Sequence, residues 1–469
     1  MIRRLTSLCL GLLLLVPSAF AVPQASVDLV IENVTVIDGT GAAPRGPLDV
    51  LVADGKIVAL EDTGTGETLA SARRVDGTGR FLIPGLIDMH AHVSLGPVRM
   101  EMNDGVPAMR LEPEPAVPVT SFDLLLEHGV TTIRDPGGAT EQVVALRDAQ
   151  RRGDLQAPDM YVAGNVIDRT AFEGLTETFA DETELRGIIR AQAAAGVDFV
   201  KLYVTLTPDL MAAAVDEAHR AGVKTVAHTL MTSWTDAAEL GLDAIVHILP
   251  GSPELLPEAQ RPAYMQYMVG GTQFMFTWFE YVDLDGPEIT QMVEALVAND
   301  VTADPTLVMW ETMVRGDDPE VVESPWLSRV PSSMLENWQT TFNMNPGWSA
   351  ADFERGRAAL PVALELAKRL HEAGVVLTAG TDANNPWVVP GASLHRELEL
   401  LVEAGIPELE VLRIATHNGA QVLGELDQFG TVEPGKRADL VLLEADPSAD
   451  IRATRRIAQV YQAGKPISR

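Results

Sequence analysis

Between Pro84 and His417 short apolar runs alternate with helix-like stretches, and this alternation restricts the fold more than any other feature of the chain. The runs are Leu86–Val93, Thr131–Asp135, Met160–Ile167, Phe199–Val204, Thr225–Leu230, Ala244–Ile248, Thr302–Met309 and Val375–Asp382. Segments such as Pro208–Ala221 and Asp352–Ala373, which read as helices, fall between them. Apolar runs separated by helices are the pattern of parallel strands covered on both faces. A doubly wound open sheet would place a glycine-rich phosphate loop after its first strand, but here the first run leads into Ser94-Leu95-Gly96-Pro97. The expectation is an α/β protein whose residues 84–417 form a (β/α)8 TIM barrel.

The flanks read differently. From Val27 to Leu82 apolar and polar residues alternate with period two, punctuated by Asp38-Gly39, Asp54-Gly55 and Asp76-Gly77, and the same texture returns at Asp439–Leu443 and Ile457–Tyr461. These are strand and turn signals. They predict a composite β-sandwich built from both chain ends, residues 22–83 plus 418–469. Ahead of it, Arg3-Arg4, the apolar run Leu5–Val16 and the small-residue pattern Ala19-Phe20-Ala21 read as a signal peptide over residues 1–21, cut after Ala21. A secreted or periplasmic location is expected, with no stable membrane span left after cleavage. Cleavage also removes Cys9, the single cysteine, so the mature chain has no disulfide.

The chain carries 66 Asp+Glu against 35 Lys+Arg, a formal charge of −31. Such a field repels phosphate backbones, which argues against nucleic acid as a partner, and it suits metal cations or simple solvation. Two insertions, Gly251–Val282 and Val314–Ala350, exceed ordinary connections of about 4–6 residues. Each follows a barrel strand and is rich in Met or Trp. They read as a lid, a contact for a homo-oligomer, or satellite cores.

Histidine is scarce, nine in the chain, so position is informative. His90 and His92 stand two apart near the end of the first run, which on a strand points both imidazoles to one face. His228, His247 and Asp382 end or nearly end three further runs. Core histidines have no reason to stop at one level of a barrel, whereas ligands of a metal ion do. Lys201 lies inside the apolar run Phe199–Val204, where an ammonium is costly and must pair, reach solvent, deprotonate or react. A neutral lysine amine takes up CO2 to form a carbamate, an anionic ligand able to bridge two cations. His128, His219 and His371 read instead as residues near helix C-termini, and His395 and His417 as helix packing.

The stretch Val75–His92, with its core Phe81-Leu82-Ile83-Pro84-Gly85-Leu86-Ile87-Asp88-Met89-His90-Ala91-His92, resembles the signature of the amidohydrolase superfamily. Gly129–Asp135, Phe199–Tyr203, Gly380–Ala383 and the closing Gly430–Leu440 add to the likeness, which is to the imidazolonepropionase-like and prolidase-like branch. The resemblance implies a metal-dependent hydrolase. His90, His92 and Asp382 would bind one divalent ion and His228 and His247 a second, with a carboxylated Lys201 between them. Zn2+ is the expected ion and Mn2+ also suits the ligands.

The chemistry implied is hydrolysis of an amide or peptide C–N bond, in a dipeptide or N-acyl amino acid, by a metal-bridged hydroxide. Asp382 would act as general base and then acid, and Tyr203, which shares strand parity with Lys201, would donate to the developing oxyanion. A cyclic amide or lactone is the alternative small-molecule substrate. A non-catalytic metal-binding protein is the alternative from another class.

Overall fold

The computed structural model describes residues 27–64, 72–103, 106–268 and 271–468. The signal peptide expected over residues 1–21 lies outside the described residues. Among those described, no helix is long and apolar enough to cross a membrane.

Both ends of the chain enter one sheet. Phe81–Pro84 pairs antiparallel with Leu440–Leu443, in a register running from Pro84 opposite Leu440 to Phe81 opposite Leu443. From that seam the sheet extends through Ile457–Gln462 and Lys465–Pro466 on one side, and through Leu29–Val36, Arg45–Ala53 and Lys56–Asp62 on the other. Arg73–Asp76 pairs parallel with Leu29–Val36. The period-two pattern has its physical reason here. Leu29, Ile31, Val50, Val52, Leu440 and Leu442 share one buried cluster, while their sequence neighbours face the other way.

The middle of the chain supplies parallel strands. Leu86–Asp88, Val130–Asp135 and Asp159–Val162 pair in that order, and Val166–Ile167, Phe199–Leu202, Lys224–Ala227, Ala244–Val246 and Thr302–Asp304 pair in theirs. Isolated parallel bridges join Ala163 to Phe199, Ala303 to Leu377, and Ala383 to Ala91. The helix Pro208–Ala221 forms where expected, with Pro208 in its first turn and Gly222 ending it at φ 77°. The helix Ala350–Glu372 opens on a capping box between Ser349 and Asp352.

Several strands are shorter than their apolar runs. The run Met160–Ile167 breaks after Val162, where Thr140 and Asn165 exchange side-chain and backbone hydrogen bonds of 2.9–3.1 Å in place of a ladder. The run Thr302–Met309 stops at Asp304, because Pro305 has no N–H to donate and Thr306 turns to φ 45°, starting the helix Leu307–Val314. The run Val375–Asp382 is extended chain bridged at Leu377 rather than a full strand. An unanticipated hairpin, Val98–Asn103 with Val106–Leu111, follows Leu86–Asp88.

The two insertions fold as short helices that pack on each other. Phe276 and Trp348 meet edge to face at 5.0 Å, and Thr272 links Trp348 Nε1 (2.9 Å) to the Met344 carbonyl (3.0 Å). Tyr264, Phe276 and Trp278 join the main core. Leu327, Val330, Met334 and Trp338 form a separate cluster with Val117, Leu124, Val389 and Ala392.

Candidate metal centre

Parallel strands present their C-terminal ends at one rim, and the ligand-type side chains cluster there. His90 and His92 follow Leu86–Asp88, Lys201 lies within Phe199–Leu202, and His228 and His247 each come one residue after a strand ends. His247 and Asp382 hold φ of 67° and 63°, a conformation that L residues seldom adopt and that recurs where function demands it.

The side chains meet. The rings of His90 and His92 are centred 5.3 Å apart, those of His90 and His247 4.8 Å, and those of His228 and His247 4.5 Å. Asp382 Oδ1 lies 3.3 Å from Nε2 of both His90 and His92, and its Oδ2 lies 3.9 Å from His247 Nδ1. One ligand atom from each of His90, His247 and Asp382 falls within 4.8 Å of the other two. Lys201, 2% exposed, lines the same cavity, as do His228 and Tyr203. The Tyr203 ring stands edge to face with His228 at 5.1 Å. Every residue expected at the site is thus at one place. His219 and His371 instead sit in the last turns of their helices, and His219 pairs with Asp243 at 2.9 Å.

Backbone hydrogen bonds hold the register. Asp88 accepts from Thr381 Oγ1 at 2.8 Å and from the amides of Thr381 and His90 at 3.1 Å, and the Asp382 amide donates to the His90 carbonyl at 2.7 Å. His92 Nδ1–H donates to the Gly137 carbonyl at 2.8 Å. A carbonyl can only accept, so this bond fixes the tautomer and leaves Nε2 free as a ligand.

Both ring nitrogens of His90, Nδ1 of His228 and Nζ of Lys201 are buried without a hydrogen-bond partner. Leaving such groups unpaired costs ~1–3 kcal/mol each, and all three side chains line one cavity. This donor set of imidazoles and carboxylate fits a divalent cation. Electrostatics agree with ligation by neutral groups. Burial first, and Lys201 second, hold His228 down at about 3, and burial pulls His90 and His247 well below their ordinary value. Burial is the largest influence on His92 and opposes its charge, but the Asp382 hydrogen bond, the Asp382 and Asp135 charges and the Gly137 carbonyl together outweigh it and move His92 up. Burial lowers Lys201 to about 7.

Two site residues were not anticipated from sequence. Asp304 Oδ2 stands 3.4 Å from His90 Nδ1 and 3.4 Å from the Arg134 guanidinium, while Arg134 Nε donates to the Met89 carbonyl at 2.7 Å. Both are 1–2% exposed. A Cβ on Gly380 would lie 2.5 Å from both Asp304 oxygens, so this approach requires glycine. The signal available was positional: Arg134 and Asp304 also stand at strand ends.

The profile of the amidohydrolase family matches residues 81–250 and 341–467. An imidazolonepropionase from Vibrio vulnificus is 24% identical over 446 residues, covering 91% of this chain and 93% of its own. A dihydroorotase from Thermus aquaticus is 48% identical, but only over 65 residues, 13% of its length. Among solved structures, a candidate prolidase from Bifidobacterium longum superposes with TM-score 0.68 at 25% identity, covering 95% of both chains. A Xaa-Pro dipeptidase with methionine in its active site also superposes at TM-score 0.68, with 19% identity, over 94% of this chain and all of the other.

Proposed function

The chain belongs to the amidohydrolase family, with its TIM-barrel-type α/β fold, and from that premise we propose that it is a metal-dependent hydrolase of an amide C–N bond in a compound of dipeptide or N-acyl amino acid size. The observation that carries this reading is the convergence of four imidazoles, Lys201 and Asp382 on one cavity, with the ring nitrogens of His90, Nδ1 of His228 and Nζ of Lys201 buried without a hydrogen-bond partner. The bridges at Ala163, Ala303 and Ala383 support a closed eight-stranded barrel, and the sheet shared by both chain ends supports a composite β-domain beside it.

His90, His92 and Asp382 would hold one divalent ion, and His228 and His247 a second. Lys201 is buried where its lowered pKa leaves neutral amine at physiological pH, the form that reacts with CO2, which supports its carboxylation; the carbamate would then be a further anionic ligand of the centre. When bound, such ions supply an acidified water and polarise a carbonyl. The protein's own contribution is proton management and orientation. Asp382 Oδ1, already within 3.3 Å of two imidazoles, is positioned to take the attacking water's proton and return it to the departing amine. Tyr203, whose pKa burial raises, keeps its proton and serves as a donor to the carbonyl oxygen. Secretion to the periplasm or beyond remains part of this proposal on the strength of residues 1–21.

The test is chelation followed by Zn2+ or Mn2+ addition, scored on a panel of linear amides, cyclic amides, esters and lactones. Activity abolished by chelator, restored by metal and greatest on linear amides supports the proposal. Stoichiometric metal with no turnover of any member identifies a metal-binding protein instead.

A further inference from the structure

The cavity above the centre occupies about 270 Å3, near the lower end of the ~300–1,000 Å3 common for small-molecule sites. Its walls come from segments distant in sequence. Met109 comes from the hairpin, Phe172 and Leu175 from the segment after Val166–Ile167, and Met309 and Trp310 from the helix Leu307–Val314. Met275, Phe342 and Met344 come from the two insertions. The insertions therefore wall the cavity as well as filling satellite cores.

Charge is distributed unevenly in it. Lys201 is the only lysine or arginine among the described residues lining the cavity, and it belongs to the centre itself. The acid on the wall besides Asp382 is Asp168, 1% exposed, whose Oδ1 accepts from the Thr205 amide at 3.1 Å. The nearest arginine in sequence, Arg169, turns to the Phe179 ring, 5.4 Å from its centroid. A substrate carboxylate placed here would lose its hydration, meet no guanidinium or ammonium of the wall, and face the Asp168 carboxylate. An apolar group would meet flexible thioethers and aromatic rings suited to irregular shapes.

We infer that the substrate is a neutral amide bearing a bulky hydrophobic group, a medium-length acyl chain or an aromatic ring, and lacking a free carboxylate. The inference rests on the amide-hydrolase reading and narrows its substrate. In the reaction water adds across the amide: its hydroxyl joins the acyl carbon, the C–N bond breaks, and the remaining proton ends on the amine nitrogen.

The experiment uses the metal-loaded protein with N-acyl 4-toluidides from acetyl to octanoyl, paired with the corresponding N-acyl 4-aminobenzoates, which carry a carboxylate in place of the methyl group. The expected result is a rise in kcat/KM of roughly threefold to fourfold per added methylene until the cavity is full, with each toluidide favoured at least tenfold over its aminobenzoate. Met344→Arg, which supplies a cation to the wall, should narrow or reverse that preference. Equal or better use of the aminobenzoates by the unmodified protein, or a flat dependence on chain length, overturns the inference while leaving amide hydrolysis standing. If no member is hydrolysed yet octanoyl toluidide binds more tightly than its aminobenzoate partner by calorimetry, the hydrolase reading fails and the cavity's preference stands.

Discussion

Nδ1 of His90 lies 3.4 Å from Oδ2 of Asp304, and that same oxygen lies 3.4 Å from the Arg134 guanidinium. The imidazole thus has beside it a carboxylate that is itself held by a buried arginine. The other oxygen, Asp304 Oδ1, has no hydrogen-bond partner.

Asp304→Asn should weaken metal affinity by roughly 10–100-fold, the usual consequence of losing a carboxylate behind a ligating histidine. Gly380→Ala should act in the same direction, because its Cβ would sit 2.5 Å from both Asp304 oxygens. Metal titration with a competing chelator measures both. Affinities equal to the unmodified protein's would show that Asp304 does not orient His90.

Tyr203→Phe should lower kcat by about 10²–10³-fold with little change in KM, as expected for loss of a donor that acts in the transition state. The ring remains to pack against His228 at 5.1 Å, so thermal stability and metal content should hold. An unchanged kcat would leave Tyr203 as packing alone.

Glu397 tests electrostatics away from the centre. It is buried in the helix Ala392–Glu403, where its Oε2 accepts from the Val308 amide at 2.7 Å and its Oε1 has no hydrogen-bond partner. Burial raises its pKa well above the ordinary 4.5, and the amides of Val308 and Leu307 offset only part of this. An acid raised on folding contributes stability that is present below its unfolded value and lost as pH rises through the folded one. Each pH unit between the two values costs about 1.4 kcal/mol. Glu397→Gln keeps an acceptor for Val308 without the charge. Its melting temperature should match the unmodified protein's near pH 4.5 and exceed it increasingly toward alkaline pH. Parallel melting profiles would contradict this.

Much of the centre was legible in the sequence because apolar runs and ligand residues share a boundary. His228 and His247 end stretches that only a buried strand explains, and Lys201 is conspicuous as a charge inside one. Asp304 was hidden because the apolar residues Leu307, Val308 and Met309 continue the look of a strand past Pro305, although they begin a helix. The pairing of Val98–Asn103 with Val106–Leu111 was illegible for the opposite reason. Met100 and Met102 are 50% and 66% exposed, so apolar character there does not report burial. The cavity wall depends on Met275, Phe342 and Met344 meeting across long separations, a tertiary outcome that no local period encodes.

The most direct measurement is the number of metal ions per chain, by elemental analysis after equilibration with Zn2+ under CO2, in the unmodified protein and in Lys201→Ala. Two ions in the former and one or none in the latter are the predicted result. A chain that retains no metal, or a Lys201→Ala variant that keeps both ions, would contradict the account.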